Sequence, residues 1–163
     1  MTIAYLGLGA NLGKSIQTLQ NAIASLAQQG GFAVRAQSGF YRSAPVQADG
    51  PDYTNCVVGI EVLLKPRPLL KTIANIEARF GRTRPYPNAP RTLDIDLLLY
   101  GDMYFDDADL TVPHPRLTER AFVLVPLLEL APEIEIPRRG RAVDFLPSVA
   151  QQRISRIAAP DLG

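Results

Sequence analysis

The sequence is poor in the residue types that most often anchor an extracellular or metal-clustered protein. Its 163 residues include one cysteine, Cys56, one histidine, His114, and no tryptophan. A single thiol can close no internal disulfide, so a reducing, cytoplasmic setting is expected. A single histidine argues against a zinc site. The formal net charge is only +1, from 17 basic and 16 acidic residues, which argues against a general nucleic-acid binder working through a basic face. No apolar run approaches the roughly 18 residues of a membrane span. The opening MTIAYLGLGANLG also lacks the basic segment and long apolar stretch of a secretory signal.

What is present is an ordinary globular composition, 47% apolar and 20% charged. A chain of this length buries about 70% of its unfolded surface, enough for a core without staples. One domain over residues 1–163 is expected. The near-neutral balance hides a local bias, because Arg79, Arg82, Arg84 and Arg91 fall in one stretch that holds no carboxylate. Such a cluster is either a solvated loop or a phosphate-binding one, since the guanidinium fork matches phosphate oxygens.

Apolar periodicity orders the chain. Residues 2–9 predict a strand running into glycines, and 15–29 a helix through Ile16, Leu19, Ala22, Ile23 and Leu26. Residues 32–41 alternate weakly as a strand, and 53–64 read as a longer one. Pro66 or Pro68 opens a second helix that stops at Gly81. A strand follows over about 92–100, then a third helix over 117–130, then a basic turn at 138–141 and a short terminal helix. The long loops at 42–52 and 81–90 interrupt this order, and loops of that length are often functional. Interleaved strands and helices of this kind favour an α+β sandwich, in two or three layers, around a mainly antiparallel sheet.

The segment GLGANLGKS fails as a phosphate loop on spacing, because the first glycine of GxxxxGK[ST] would have to stand at Leu8. A tight turn with Asn11 in a local hydrogen bond is the expectation there. Asp94 and Asp96 are a stronger signal. Strand alternation puts both carboxylates on one face, about 7 Å apart along the backbone, and sends Ile95 and Leu97 to the core. Paired carboxylates repel unless a cation lies between them, and oxygen-only ligation suits Mg²⁺ that also holds substrate phosphates. The alternative is a solvated acidic face. His114 is held between Pro113 and Pro115 and is either structural or functional. Arg120 falls at the start of the third helix, where terminal N–H groups favour anions. Tyr53 and Asn55 share a strand face, suited to stacking on and hydrogen bonding a flat heterocycle, whereas Tyr53 and Phe122 could equally be core.

Taken together, the segments FYRSAP (40–45), PDYTN (51–55), IEARFGRTR (76–84), PRTLDIDLLLYG (90–101) and LTVPHPRLTERAFVLVPLLELAP (110–132) resemble the 6-hydroxymethyl-7,8-dihydropterin pyrophosphokinase family of the folate pathway. The resemblance implies a ferredoxin-like α+β sandwich with helices flanking the sheet. It also implies transfer of diphosphate from ATP, the co-substrate, to the hydroxymethyl group of 6-hydroxymethyl-7,8-dihydropterin, with AMP leaving and two Mg²⁺ ions in the site. By resemblance Asp94 and Asp96 are the metal ligands, and Arg82, Arg91 and Asp96 are catalytic. Glu77, Arg84, Arg91, Thr111, His114 and Arg120 match nucleotide positions. Ser43, Ala44, Val46, Tyr53, Asn55 and Phe122 match pterin positions, and Asn11 supports the active-site loops. A monomer using small-molecule substrates is expected, with no nucleic-acid or membrane partner.

The departures from the family pattern lie in the loops. The family's tryptophan before the glycine-proline-arginine step is missing, Asn88-Ala89-Pro90-Arg91 occupies the step, and Pro85 and Pro87 stiffen the loop. Tyr86 is the available substitute. Asp109 stands where some members carry an arginine and would repel a phosphate if it pointed inward. Two other classes stay open at this point: another metal-dependent nucleotidyltransferase, and a catalytically impaired pterin- or nucleotide-binding relative.

Overall fold

The computed structural model of the protein describes residues 1–11, 14–44, 52–81 and 93–157. The first strand, β1 (Thr2–Ala10), leads into helix α1 (Ser15–Ala27), followed by β2 (Phe32–Gln37), β3 (Tyr41–Ser43) and β4 (Tyr53–Val62). Helix α2 (Pro66–Gly81) and strand β5 (Asp94–Tyr100) complete the main run. β4 pairs antiparallel with β1, and β1 with β5, while β2 and β3 share the other edge of β4. The units β1-α1-β2 and β4-α2-β5 are therefore two interleaved parallel crossovers, each skipping one strand, which is the ferredoxin-like arrangement.

Helical spacing in the two crossover helices explains why both lie on one face. Leu19, Ala22, Ile23 and Leu26 of α1 and Leu69, Ile73 and Ile76 of α2 join Ile95 and Leu97 of β5 in a single buried cluster. The second face is covered by later elements. Before them a small hairpin, β6 (Phe105–Asp106) with β7 (Thr111–Val112), packs Phe105 and Val112 into the first cluster, and a 3-10 turn at Leu117–Glu119 and helix α3 (Ala121–Leu130) follow. A second hairpin, β8 (Glu135–Ile136) with β9 (Gly140–Arg141), leads to a 3-10 helix over Ala142–Val149 and to β10 (Ile154–Arg156). Ala121, Val123, Leu124 and Leu127 of α3 pack with Leu98, Leu99, Ala142 and Val149 against this face. The result is a three-layer sandwich.

Four local expectations are corrected. The turn expected in the segment GLGANLGKS does not begin at its first two glycines: Gly7 and Gly9 lie, as the strand over 2–9 requires, within the β1 ladder, paired with Val57 and Asp96 and with Asn55 and Asp94. The strand expected over 32–41 is two, broken around Gly39, whose N–H turns to the Glu129 carboxylate of α3 at 3.1 and 3.2 Å instead of joining the ladder. The third helix does not begin at Leu117. Arg120 is extended (φ −127°, ψ 114°) and forms the N-cap of α3, so the chain kinks between the 3-10 turn and the helix. Finally, β5 does not alternate to its end. The pairing with β1 skips Leu98, a bulge that turns Leu98 and Leu99 together toward α3. The freed carbonyl of Leu98 accepts the N–H of His114 at 2.9 Å, which fixes the histidine turn beside β5.

Candidate active site

β1 ends where β4 and β5 begin, so the tips of three strands meet at one end of the sheet. On the α3 face of that end lies a cleft of about 180 Å³, lined by Gly7, Gly9, Ser43, Ala44, Tyr53, Asn55, Asp94, Asp96, Arg116, Arg120 and Phe122. Its floor is β1. A Cβ at Gly9 would stand 3.0 Å from Asn55 Oδ1, so glycine there leaves the amide its place and lets a ligand approach the backbone.

One wall comes from β3 and β4. Asn55 Nδ2 donates to Ser43 Oγ at 2.6 Å, with both residues buried. This bond sets the amide's orientation, with Oδ1 over Gly9 as an acceptor. The opposite wall comes from the start of α3, where the Arg120 guanidinium lies 5.4 Å from the Phe122 ring centre, a cation–π contact that seats both side chains. Asp94 and Asp96 enter from β5, both half-buried, while Ile95 and Leu97 between and beyond them are core.

The other described candidate residues are not among those that line the cleft. Glu77 reaches from α2 to accept the N–H of Ile95 at 2.8 Å, on the peptide between the two aspartates. Its carboxylate therefore fixes the strand segment that presents them. His114 Nδ1 accepts the N–H of Arg116 at 3.1 Å. Burial above all, then the Arg120, Arg116 and Arg139 guanidiniums, hold its pKa down against the opposing pull of Asp96. A neutral ring with Nδ1 occupied as acceptor bears its proton at Nε2, making His114 a hydrogen-bond donor. Thr111 is exposed on β7 and donates to the Asp107 carbonyl. Asn11 is only 5% exposed, and among the described residues neither of its amide atoms has a hydrogen-bond partner; the expected local bond is not seen there. Val46, Arg82, Arg84 and Arg91 lie outside the described residues, as do Tyr86 and Asn88.

Asp109 does not point inward. Its carboxylate and that of Asp107 are held by Arg67 of α2, with contacts of 3.0 and 2.8 Å. The bond to Arg67 lowers the Asp109 pKa, so it stays ionised and turned to that partner. Three wall residues escaped the sequence reading: Gly7, Gly9 and Arg116. Arg116 has a legible signal in hindsight, since it stands four residues before Arg120 across a turn, and the two guanidiniums meet at the same cleft. Among the described residues no group of three or more His, Cys, Asp or Glu side chains could hold a metal. Asp94 and Asp96 are thus a two-carboxylate set, and hard oxygen donors of that number fit Mg²⁺ that completes its shell with water and substrate phosphates.

A ferredoxin-like sheet with paired aspartates and arginines around a small cleft defines a class, enzymes that handle phosphorylated small molecules. Comparison with known proteins narrows the class. The family model described as 7,8-dihydro-6-hydroxymethylpterin-pyrophosphokinase matches residues 5–132. A Synechocystis 2-amino-4-hydroxy-6-hydroxymethyldihydropteridine pyrophosphokinase is 46% identical over 86% of this chain and 72% of its own length. The Haemophilus influenzae protein of that name is 35% identical over 96% of this chain and 99% of its own. A solved Plasmodium falciparum HPPK-DHPS with SDX-DHP matches 90% of this chain with a TM-score of 0.73 at 14% identity, a likeness of fold; the chain spans 44% of that longer protein. The chain belongs to the 7,8-dihydro-6-hydroxymethylpterin-pyrophosphokinase family. It is an ATP-dependent pyrophosphokinase of folate biosynthesis.

Proposed function

We propose that the cleft receives the dihydropterin and the reacting phosphates of ATP side by side, in one domain spanning residues 1–163. The reading is supported chiefly by one observation: Asp94 and Asp96 open into the same cleft as Tyr53, Asn55 and Phe122. The pterin ring lies between Tyr53 and Phe122. Asn55, oriented by Ser43, reads its amide-like edge, beside Ala44 and, by resemblance, Val46. Asp94 and Asp96 would hold two Mg²⁺ ions, which would supply positive charge to offset that of the ATP phosphates. Arg120 with His114 Nε2–H, and Arg82, Arg84 and Arg91 by resemblance, bind the phosphate oxygens. Glu77 and Thr111 support the nucleotide side, and Asn11 the loops.

In the transfer, the pterin hydroxymethyl oxygen bonds to the β-phosphorus of ATP, the bridge to the α-phosphate breaks, and AMP leaves with that bridging oxygen. The hydroxyl proton passes to solvent or a phosphate oxygen. The enzyme works as a monomer in the cytoplasm, where the buried Cys56 remains a thiol.

The test is incubation with ATP, MgCl₂ and 6-hydroxymethyl-7,8-dihydropterin, with products identified by mass. Wild type is expected to yield AMP and pterin diphosphate, and Asp96→Ala to lose at least about a hundredfold in rate, as removal of several kcal/mol of metal-borne stabilisation requires. A normal rate in Asp96→Ala would overturn the metal assignment.

A further inference from the structure

The segment after the 3-10 helix at Ala142–Val149 lies beyond residues 5–132, the stretch that matches the family model. It nonetheless touches both walls of the cleft. Gln152 reaches the kink before α3: its Oε1 accepts the N–H of Ala121 at 2.8 Å and its Nε2 donates to the Glu119 carbonyl at 2.8 Å. These two bonds bracket Arg120, whose extended backbone turns the chain into α3. Two residues later the same segment becomes β10, in which Ile154 pairs with Ser43, Ser155 with Arg42 and Arg156 with Tyr41. Ile157 N–H then donates to the Phe40 carbonyl at 2.8 Å. One attachment seats Arg120 and Phe122; the other seats Ser43 and Ala44; all four line the cleft. The anchors are separated by one residue, Arg153, a span of about 7 Å in extended chain. So short a link leaves little slack between them.

We propose that residues 152–156 form a strap that fixes the distance between the two walls of the active site, with Gln152 as a positioning residue for Phe122 and Arg120. The proposal rests on the reading that the pterin lies between those walls. Neither Gln152 nor the strand touches substrate; each acts through the residue it holds. The two bonds from Gln152 go to backbone atoms, so side-chain substitutions at Glu119 and Ala121 leave them in place, whereas loss of the Gln152 amide removes both.

The experiment uses the full chain and compares wild type, Gln152→Ala, a variant with two glycines inserted after Arg153, and Phe122→Ala. Each is measured for dihydropterin and ATP-analogue affinity, steady-state kinetics and Tm. The insertion keeps both anchors and severs only their coupling, so it tests the strap even if Gln152→Ala is poorly folded. Expected is a loss of pterin affinity of about tenfold in Gln152→Ala, the scale of one or two hydrogen bonds. The insertion variant should lose pterin affinity likewise while its Tm stays near wild type. Wild-type pterin affinity in the folded insertion variant, beside a defective Phe122→Ala, would overturn the strap alone. Normal pterin affinity in Phe122→Ala would overturn the reading of the cleft on which the strap depends.

Discussion

The hydrogen bond between Ser43 and Asn55 decides which end of the amide the cleft presents. An amide has a donor end and an acceptor end, and a buried hydroxyl that accepts from Nδ2 leaves Oδ1 to face the ligand. Ser43→Ala would strand a buried N–H, at a cost of about 1–3 kcal/mol. The expected outcome is a lower Tm together with weaker pterin binding and an unchanged affinity for an ATP analogue, measured by calorimetry, with Ser43→Thr close to wild type. Equal weakening for both ligands would mean that the bond serves the fold and not recognition. Glu77 illustrates a different kind of residue: it accepts the Ile95 N–H and so braces the segment of β5 that presents Asp94 and Asp96. The aspartates were legible in the sequence because strand alternation alone places them on one face away from Ile95 and Leu97. The orientation of Asn55 was not, because it depends on a hydroxyl twelve residues earlier on a neighbouring strand.

Among the elements, α1 and α2 were legible to within a few residues, since each shows an uninterrupted apolar stripe that packs on the sheet. The interruptions were not. The break between β2 and β3 is made by Glu129 of α3, whose carboxylate accepts the Tyr41 hydroxyl at 2.6 Å and the Gly39 N–H. Arg156 of β10 lies 3.7 Å from the same carboxylate. A Cβ on Gly39 would meet that guanidinium at 2.7 Å, so glycine at the break lets Arg156 close over it. None of this shows in local periodicity, because Glu129 stands 88 residues from Tyr41 and 90 from Gly39 in the chain, and Arg156 comes from a third element. The bulge at Leu98 and the kink at Arg120 were missed for the same reason: each is fixed by a hydrogen bond from outside the local stretch, from the His114 backbone N–H in one case and from the Gln152 side-chain amide in the other. Removing Glu129 should loosen the break without touching the cleft directly. Glu129→Ala is expected to cost about 1–3 kcal/mol, seen as a drop in Tm of a few degrees. An unchanged Tm would show that the strand pairs hold the break without it.

For the molecule as a whole, the two crossovers explain why the site lies where it does. Interleaving β1-α1-β2 with β4-α2-β5 puts β1 between β4 and β5, antiparallel to both. The end of β1 therefore meets the starts of the two strands that bear Tyr53, Asn55, Asp94 and Asp96. α1 and α2 cover one face, and α3 packs on the other with its start lining the cleft at the strand tips. Stability of this assembly should fall in alkali, and two buried groups set the window. Burial pushes the Cys56 thiol from 9.0 up to about 12. Burial first, then the hydrogen bond and charge of Glu129, push the Tyr41 phenol from 10.0 to about 12, against the opposing effect of Arg156. Both folded values lie above the unfolded ones, so from about pH 9 the unfolded chain sheds protons that the folded chain keeps. Folding then loses free energy with rising pH, because the unfolded state binds fewer protons. The contribution is intact below pH 9 and is lost progressively up to about pH 12. Urea midpoints measured from pH 8 to 11 should fall steadily, and Cys56→Ala should remove the part of the fall that begins near pH 9. A midpoint independent of pH over that range would mean that neither group is as protected from ionisation as its place in the core requires.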